Sequence, residues 1–541
     1  MLAAAALTLL GSWWLDARAV AVAGGAAVRP QCISYAPSGG GSRAPRDVTP
    51  AQLRRDFAVL AKRTGCIRTY TVSDGFDRAP EVAREFGLEV LLGLWIGSDP
   101  AHNEREIARA TDLARSHRET LRAIVVGNEV LLRRDLAPEQ LAALIRRVAS
   151  ATGLPVTYAD VWGFWMKHRS LAEAVSFVTV HILPYWDDDP VSIDEVIPFV
   201  DGLYTQIERS FPGKAVLVGE TGWPSAGRPR GAAVPGRINQ ARYLREFTVL
   251  AARRGIEYNL IEAFDQPWKM AHEGTVGGHW GLYDAEGREK FPWSGPLAEA
   301  PQGRTVIVAA LVAGLLGAGA GMLLGGVARF RVGLALAASA TLTVGIAARQ
   351  LQYLQAGNAT PLAWAITLAV AVAGWLAFGI AIRALAARAP VTRDPMPRVL
   401  VLLLLLACAY VCLGLVFAGR HRDFPLWLFL PGVLGIAITA GVNPEARAAR
   451  LQVRRAVDEV LLATWLVAAG CLVPLLERLQ NAQSIGWGAT CILLGSAILL
   501  PLALQPRKHH RAAQHPDAGA GEVIEDHAHG TAREGEVGRQ G

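Results

Sequence analysis

The sequence predicts an α/β fold, a (β/α)8 TIM barrel, followed by an α-helical multi-span transmembrane domain. Between residues 31 and 291, eight short apolar segments alternate with amphipathic helical patterns. Long apolar runs then occupy residues 305–504. The chain has 541 residues, 52% of them hydrophobic, and its mean hydropathy is +0.26. This length exceeds one ordinary domain, so we expect two regions of different character.

The barrel prediction depends on the number of strand and helix units. The predicted strands are Cys32–Tyr35, Ile67–Val72, Val90–Ile96, Ile124–Val126, Val156–Ala159, Phe177–Leu183, Ala215–Val218 and Tyr258–Ala263. The helices between them are Pro50–Thr64, Pro80–Phe86, Glu104–Ser116, Pro138–Ala149, His168–Ala174, Ile193–Glu208 and Asn239–Arg254. Eight such units fit the roughly 250 residues of a typical β/α barrel. A doubly wound open sheet is the alternative, but the sequence has no glycine-rich phosphate loop after an early strand.

The N-terminal segment, residues 1–28, is apolar apart from Asp16 and Arg18. It predicts a signal anchor or transmembrane segment, although a charge at the centre of a span costs about 2.5–3.5 kcal/mol. Whether it spans or is cleaved stays open. Cys32 and Cys66 each begin a predicted strand. They could form a disulfide if the strands are neighbours in an oxidising compartment, or they could be two small core residues.

The C-terminal half predicts a linker at residues 292–304, about seven membrane spans in residues 305–504, and a disordered cytoplasmic tail at residues 505–541. The apolar runs are Thr305–Val327, Val332–Ala347, Pro361–Ile382, Val399–Ala418, Leu426–Val442, Val460–Leu475 and Ile485–Leu504. Several approach the ~20 residues that a membrane-spanning helix needs. The tail is polar and rich in Gly, Ala, Glu and His, a composition typical of disorder.

Basic residues are concentrated in alternate connections between these runs. The net charge of +7 is not gathered into one patch, so we expect no nucleic-acid partner. Thirteen basic residues lie in the first, third, fifth and last connections: Arg329, Arg331, Arg383, Arg388, Arg393, Arg398, Arg447, Arg450, Arg454, Arg455, Arg507, Lys508 and Arg511. The opposite connections hold four: Arg349, Arg420, Arg422 and Arg478. The positive-inside rule then predicts seven spans with the barrel outside the cytoplasm.

Two carboxylates lie where catalytic groups of a barrel belong. Glu129 follows the fourth predicted strand and Glu220 the seventh, and the carboxyl ends of barrel strands form the active face. Glycoside cleavage needs one carboxyl group to protonate the leaving oxygen and a second to attack the anomeric carbon or activate water. Asn128 could donate a hydrogen bond to a sugar 2-hydroxyl. Either glutamate alone could instead be a helix-end charge or a buried ion pair.

Aromatic side chains are frequent at the same end of the predicted barrel. Flat rings complement the apolar faces of sugars, although any one ring could equally be core packing. For Trp186 and Trp268, which adjoin Asp187-Asp188-Asp189 and Gln266-Pro267, we favour the substrate cleft. The aromatic candidates for substrate binding are Tyr35, Tyr70, Tyr185, Trp186, Trp223, Phe264 and Trp268.

Two segments resemble the signatures of glycoside hydrolase family 17, the β-1,3-glucanase family. These are Gly127-Asn128-Glu129-Val130 and Gly219-Glu220-Thr221-Gly222-Trp223-Pro224-Ser225, with similar segments at Ile67-Arg68-Thr69-Tyr70, Pro184-Tyr185 and Ala263-Phe264-Asp265. The resemblance implies a retaining mechanism with Glu129 as acid/base and Glu220 as nucleophile. It also implies substrate-binding roles for Arg68, Lys269 and Glu273.

The chain departs from that family at His181, where plant members have asparagine. We expect His181 to hydrogen-bond the sugar or the surroundings of the nucleophile, with a structural core histidine as the alternative. No second ligand at suitable spacing accompanies it, so neither a metal nor another cofactor is expected.

The barrel joined to many spans is similar to bacterial proteins described as membrane-bound β-(1,6)-glucan synthases. That resemblance implies a multi-pass protein of the bacterial cytoplasmic membrane, with a periplasmic catalytic domain that remodels β-glucan. The chemistry allows transfer because a sugar hydroxyl can replace water in the second step. A simple endo-β-1,3-glucanase is the alternative, and an inactive glucan-binding module on a membrane scaffold is a third hypothesis. Expected partners are a β-glucan and the lipid bilayer; a glucan synthase or export partner cannot be named from the sequence.

Overall fold

The computed structural model describes residues 2–23, 29–39, 41, 43–324, 328–386, 394–442, 444–453 and 456–503. Eight parallel strands close into a barrel in sequential order, which confirms the predicted fold class. The strands are β1 (Cys32–Ser34), β2 (Cys66–Arg68), β3 (Glu89–Leu94), β4 (Leu121–Asn128), β5 (Val156–Val161), β6 (Val178–His181), β7 (Val216–Thr221) and β8 (Glu257–Leu260).

Helices surround the barrel and bury their apolar faces against it. They are α2 (Pro50–Leu60), α3 (Ala79–Glu85), α4 (Pro100–Ser116), α5 (Pro138–Thr152), α6 (Trp162–Lys167), α7 (Val196–Ser210) and α8 (Arg237–Arg254), after an N-terminal α1 (Leu2–Ala17). Three of them begin at a proline, whose fixed φ suits the first helical turn. The side chains of Thr49 and Asp99 cap α2 and α4 by accepting backbone N–H bonds.

The strands differ from the prediction at their carboxyl ends. β7 continues through Thr221, so Glu220 belongs to the strand itself, and β4 reaches Asn128, directly before Glu129. The helix predicted at His168–Ala174 is wrong, because α6 occupies Trp162–Lys167 and a short 3₁₀ turn covers Arg169–Glu173. All eight strands run parallel, so their carboxyl ends meet at one face.

The two cysteines at the start of the barrel form a disulfide. Cys32 begins β1 and Cys66 begins the neighbouring β2, with their Cα atoms 4.4 Å apart. The bond lies at the amino ends of the strands, opposite the face that carries the carboxylates. The structure therefore decides for a disulfide between them.

The second half of the chain is helical. Its helices are α10 (Gly303–Leu324), α11 (Arg329–Gly357), α12 (Pro361–Ala386), α13 (Arg398–Phe417), α14 (Leu426–Val442), α15 (Pro444–Val453), α16 (Val457–Leu476) and α17 (Ala482–Ala503), after the short α9 (Met270–Glu273) of the barrel. Six are long and apolar enough to cross a membrane, and α14, with 17 residues, is a shorter apolar helix. Seven spans therefore stay a prediction. The predicted tail, 505–541, lies outside the described residues, as do Arg388, Arg393, Arg454 and Arg455.

The N-terminal helix α1 packs against α10 and α11 of the helical domain. The Trp13 indole donates to the carbonyl of Gly345 at 3.1 Å, and the Arg349 guanidinium lies 3.9 Å above the Trp13 ring. Asp16 forms an ion pair with Arg349. The charge that interrupts this apolar segment is thus neutralised by a residue more than 300 positions later.

The chain enters and leaves the barrel through a paired stem. Val20 and Leu297 exchange two backbone hydrogen bonds, of 2.7 and 2.9 Å, as antiparallel neighbours. The buried guanidinium of Arg245 donates to the carbonyls of Val22, Pro292 and Gly295, which fixes both arms of the stem to α8. The segment predicted as a linker, 292–304, is therefore held in place by hydrogen bonds at Pro292, Gly295 and Leu297.

The open face of the barrel contacts the helical domain at or next to three connections between its helices. His279 hydrogen-bonds the carbonyl of Ala356, in the last turn of α11, at 2.9 Å. Arg228 donates to the carbonyl of Arg422, between α13 and α14, at 3.0 Å. Asn481, between α16 and α17, donates to the carbonyl of Pro229 at 3.0 Å. These are the connections that carry few basic residues in the sequence.

Candidate active site

A strained turn positions Glu129 at the end of β4. Gly127 has a φ of 88°, and a Cβ there would lie 2.6 Å from a methyl carbon of Val130. Glu129 itself has a φ of 54°, in the left-handed region that non-glycine residues seldom occupy. Its backbone N–H donates to the carbonyl of Ala159 on β5 at 2.8 Å. The surrounding strands thus hold a conformation that aims the carboxylate into the open face.

Glu220 stands on β7 beside a glycine that allows close packing. A Cβ at Gly219 would collide with the Thr179 methyl group and lie 3.2 Å from the His181 ring, so a larger residue would displace both. The Tyr70 hydroxyl donates to the Glu220 carboxylate at 2.8 Å, and Arg68 lies 3.4 Å from the same oxygen. Glu220 is 5% exposed. It is a nearly buried carboxylate with two donors.

His181, at the end of β6, lies between the two glutamates. Its Nδ1 is 2.9 Å from a Glu129 carboxylate oxygen, and its Nε2 is 3.6 Å from Glu220. One carboxylate oxygen of each glutamate and a His181 ring nitrogen all lie within 4.8 Å of one another. The three side chains therefore form one compact group, in which His181 lies beside Glu220.

Burial and charge set the protonation of this group. Burial raises the pKa of Glu129, but the hydrogen bond from His181 and the positive charges of His181, Arg133 and Arg68 outweigh it, so the pKa lies below its usual value. Burial, followed by the negative charge of Glu220, raises the pKa of Tyr70 well above its ordinary value. Tyr70 therefore stays a neutral phenol that can donate to Glu220.

Arg68 links Asn128 to the nucleophile side of the site. Its guanidinium donates to the Asn128 side-chain oxygen at 2.7 Å and to the carbonyl of Gly219 at 2.8 Å. The Asn128 oxygen is thereby occupied by Arg68. Both residues belong to the predicted substrate-binding set, and the structure places both beside the carboxylates.

A third glutamate, Glu262, was not predicted. It follows β8, and its carboxylate accepts a 2.6 Å hydrogen bond from the Lys269 ammonium. Burial raises the pKa of Glu262 to about 7 despite the charge of Lys269. Burial likewise raises the pKa of the predicted Glu273, with Lys269 opposing that shift. An acid after a barrel strand was the signal that identified Glu129 and Glu220, and it could have identified Glu262.

The predicted aromatic residues divide into two groups. Trp186, together with Glu129, His181 and Glu273, lines a cavity of about 570 Å³. Trp268 is half-buried and donates to the Gln266 side chain at 2.9 Å.

Four other predicted aromatics are core residues with at most 1% exposure: Tyr35, Tyr185, Trp223 and Phe264. The Tyr35 hydroxyl, for example, donates to buried Asp56 at 2.8 Å. The prediction that these four contact substrate is corrected, because their rings fill the space between strands and helices.

The Glu129, His181 and Glu220 ligand atoms are close enough to surround a metal ion. The Arg68 guanidinium already supplies positive charge 3.4 Å from Glu220, which disfavours a second cation there. The expectation of no metal stays a prediction.

The barrel matches known glycoside hydrolases. Residues 32–281 match the BtgE/BtgC glycoside hydrolase domain. A glucan 1,3-beta-glucosidase of Schizosaccharomyces pombe is 31% identical over 231 residues, which span 40% of this chain and 72% of that protein. A glucan 1,3-beta-glucosidase of Saccharomyces cerevisiae is 26% identical over 258 residues, spanning 44% of this chain and 82% of that protein.

Among solved structures, a glycoside hydrolase family 17 beta-1,3-glucanosyltransferase from Rhizomucor miehei is 26% identical. It aligns with a TM-score of 0.44 over 49% of this chain and 97% of its own. On the match of its barrel to the domain and to the Schizosaccharomyces relative, the chain belongs to the BtgE/BtgC glycoside hydrolase family.

Proposed function

We propose that the protein is a membrane-anchored retaining enzyme that cleaves β-1,3-glucan and transfers the released chain to another glucan. Glu220 is the nucleophile and Glu129 the general acid/base. The observation that carries the proposal is the spacing of the two carboxylates, whose nearer oxygens are within 4.8 Å. Retaining enzymes hold these groups about 5–5.5 Å apart, whereas inverting enzymes leave about 6.5–9.5 Å for a water molecule.

In the first step, Glu220 attacks the anomeric carbon while Glu129 gives its proton to the glycosidic oxygen. The glycosidic bond breaks, the leaving chain departs as a free hydroxyl, and an ester joins Glu220 to the remaining sugar. The hydroxyl of Tyr70 and the guanidinium of Arg68 hold the Glu220 carboxylate in one orientation before the attack. This preorganisation removes part of the entropic cost of the step.

In the second step, Glu129 acts as a base. It removes a proton from water or from a sugar hydroxyl, whose oxygen attacks the anomeric carbon and frees Glu220. The depressed pKa of Glu129 in the free enzyme suits this step. Binding of a glycan would displace water from the cavity and favour the protonated form, which the first step needs.

The substrate assignment is supported by the relatives, which are named glucan 1,3-beta-glucosidases. Trp186 in the cavity offers a flat apolar surface to a sugar ring, and Asn128, Lys269 and Glu273 supply hydrogen-bonding groups around the carboxylates. Formation of a β-1,6 linkage is the finer part of the proposal, drawn from the resemblance to bacterial β-(1,6)-glucan synthases.

We also propose that the barrel faces the periplasm at a bacterial cytoplasmic membrane. Six apolar helices are consistent with a multi-pass protein. The barrel contacts the connections poor in basic residues, which the positive-inside rule assigns to the outer side. The Cys32–Cys66 disulfide also favours an oxidising compartment.

The test is to supply the purified full-length chain in detergent with β-1,3-linked gluco-oligosaccharides of one length. Products longer than the substrate support transfer, and linkage analysis of them identifies the new bond. Only shorter products would make the enzyme a hydrolase. Glu220→Gln should form no product while keeping its fold; if it remains active, the assignment of the nucleophile is wrong. A wild-type chain that binds oligosaccharide without converting it would be a binding module.

A further inference from the structure

The catalytic cavity has walls from both halves of the chain. On the barrel side it is lined by Glu129, His181 and Trp186, and on the other side by Arg420 and His421. The latter two belong to the connection between α13 and α14, residues 418–425, which we call the α13–α14 loop. The catalytic cavity has a volume of about 570 Å³, within the range of about 300–1,000 Å³ found for ligand sites. The helical domain thus borders the space where substrate would lie.

Specific contacts fix the α13–α14 loop in this place. The His421 carbonyl approaches Gly274 so closely that a Cβ on Gly274 would collide with it. The Thr275 hydroxyl donates to the partly buried carboxylate of Asp423. The His421 ring also lies against Trp186, with ring centroids 5.6 Å apart. The wall is therefore a packed interface and not a chance approach of two surfaces.

Arg228 secures the same loop from the nucleophile side. It follows Glu220 by eight residues, in the connection from β7 to α8, and its guanidinium donates to the carbonyls of Gly419 and Arg422. It also pairs with Glu477 and stacks 4.9 Å from the Phe424 ring centre. The segment that carries Glu220 is thereby connected directly to the loop.

A second cavity continues the first along the boundary between the two halves. It has a volume of about 630 Å³ and shares Asp188 and Arg420 with the catalytic cavity. Beyond Arg420 it runs between the barrel loop after β6 and the connection from α16 to α17, where Arg478 and Gln480 line it. The two cavities adjoin at these shared residues, and we call the pair, which extends from Glu129 along the helical domain, the groove.

The chemistry of this groove fits an uncharged polyhydroxyl chain. Hydrogen-bond donors and acceptors both line it, among them Arg420, His421 and Gln480 on the helical side and Asp188 and Asp189 on the barrel side. Burial, followed by the charge of Arg420, lowers the pKa of His421, so its neutral imidazole both donates and accepts at neutral pH. Each wall carries charges of both signs, since Arg230 lies on the barrel side and Glu477 on the helical side, so neither wall presents one sign of charge to an ionic ligand.

We propose that this groove binds the glucan chain beyond the sugar units next to the carboxylates, and that Arg420 and His421 are specificity-determining residues supplied by the helical domain. The proposal rests on the function proposed above. It makes the helical domain a part of the substrate site in addition to its place in the membrane.

The test compares two arginines of the same loop. Arg420 lines the groove, whereas the side chain of Arg422 lies outside both of its cavities, so Arg422→Ala is the matched control for Arg420→Ala. Both changes are made in full-length Glu220→Gln protein, in detergent, to prevent turnover. Affinity for β-1,3-linked gluco-oligosaccharides of increasing length is measured by calorimetry.

Arg420→Ala should weaken binding of the longest oligosaccharides about fivefold to tenfold, which corresponds to about 1–1.4 kcal/mol. It should leave binding of the shortest unchanged, and Arg422→Ala should resemble its parent at every length. If Arg420→Ala and Arg422→Ala give the same affinities at every length, the groove proposal is overturned. In that case product formation by the wild-type enzyme would still support the proposed function, whereas absence of both binding and product would overturn both.

Discussion

The barrel and the helical domain bury polar groups in different ways. In the barrel, charged side chains are concentrated at the carboxyl ends of the strands, where Arg68, His181, Glu220 and Glu262 are at most 5% exposed. In the helical domain the buried hydroxyls bond to backbone carbonyls, as Thr439 does to Gly435. There, helices approach through small residues: a Cβ on Gly470 of α16 would lie 2.7 Å from the Gly488 carbonyl of α17.

This difference separates chemistry from support. Strands that end together deliver several charged groups to one face, and the closed barrel behind them excludes water. Helices in a bilayer cannot expose such groups to lipid and associate through close backbone contact. Charged residues of the helical domain that reach the barrel, such as Glu477, Asp423 and Arg420, lie in connections beyond the helix ends.

The strongest test of this separation is Glu129→Gln. A neutral amide cannot give up a proton to the leaving oxygen, so we expect kcat/KM to fall by about 10²- to 10⁴-fold. The thermal midpoint should hardly change. Glu104→Gln is the control, since this exposed glutamate pairs with Arg147 on the outer helices. Equal activity of the two variants would place the chemistry elsewhere.

Arg228→Ala tests the connection between the two regions. The change removes the partner of Glu477, whose side chain is only 15% exposed. Loss of one member of a buried pair costs about 3–5 kcal/mol, so the thermal midpoint of the full chain should drop by several degrees. Arg288→Ala removes an arginine that is 75% exposed and should leave the midpoint in place. Equal midpoints for the two variants would show that the interface does not depend on this pair.

Gly488→Ala tests the small-residue packing of the helices. The added methyl group would collide with the carbonyl of Gly470, and we expect a loss of about 1–3 kcal/mol. Gly379→Ala on α12 meets open space, so it should be neutral or slightly stabilising. The thermal midpoints of the two variants are compared in the same detergent. If Gly488→Ala is as stable as Gly379→Ala, close backbone contact is not what holds α16 to α17.

His181→Asn should give the smallest effect, a change in pH dependence. His181 lowers the pKa of Glu129, so its removal should raise that pKa, since burial then acts with less opposition. The general acid works while protonated. The alkaline limb of kcat/KM should therefore move to higher pH. His117→Asn, at the opposite end of the barrel, should not shift the limb; a shift of the limb to lower pH in His181→Asn would contradict the assigned direction.

The eight strands and the two carboxylates could be predicted because both are local. A short apolar segment that ends at Gly127-Asn128-Glu129 or Gly219-Glu220 predicts a strand with a carboxylate at its end. This prediction needs no knowledge of the rest of the fold. The roles of the aromatic residues could not be read in this way. Tyr35 and Trp186 both follow barrel strands, yet one ring is buried against α2 and the other faces the cavity.

Long-range contacts were also beyond the sequence. The sequence places Asp16 within an apolar segment, and the structure shows that its ion-pair partner is Arg349. The contribution of Arg420 to the catalytic cavity depends on how a loop of the helical domain docks on the barrel, and no periodicity of the sequence records such docking. The Cys32–Cys66 pair required the adjacency of β1 and β2.

The stem formed by Val20 and Leu297 restricts how the enzyme searches for substrate. A flexible tether would let a catalytic domain sweep a hemisphere whose radius grows with the square root of the tether length. Here the two segments of the stem are hydrogen-bonded to each other and to Arg245, so they restrict movement of the barrel relative to the helical domain. The cavity is held at one height and one angle above the helical domain. A substrate chain must therefore diffuse to the cavity, because the cavity cannot move far toward the chain.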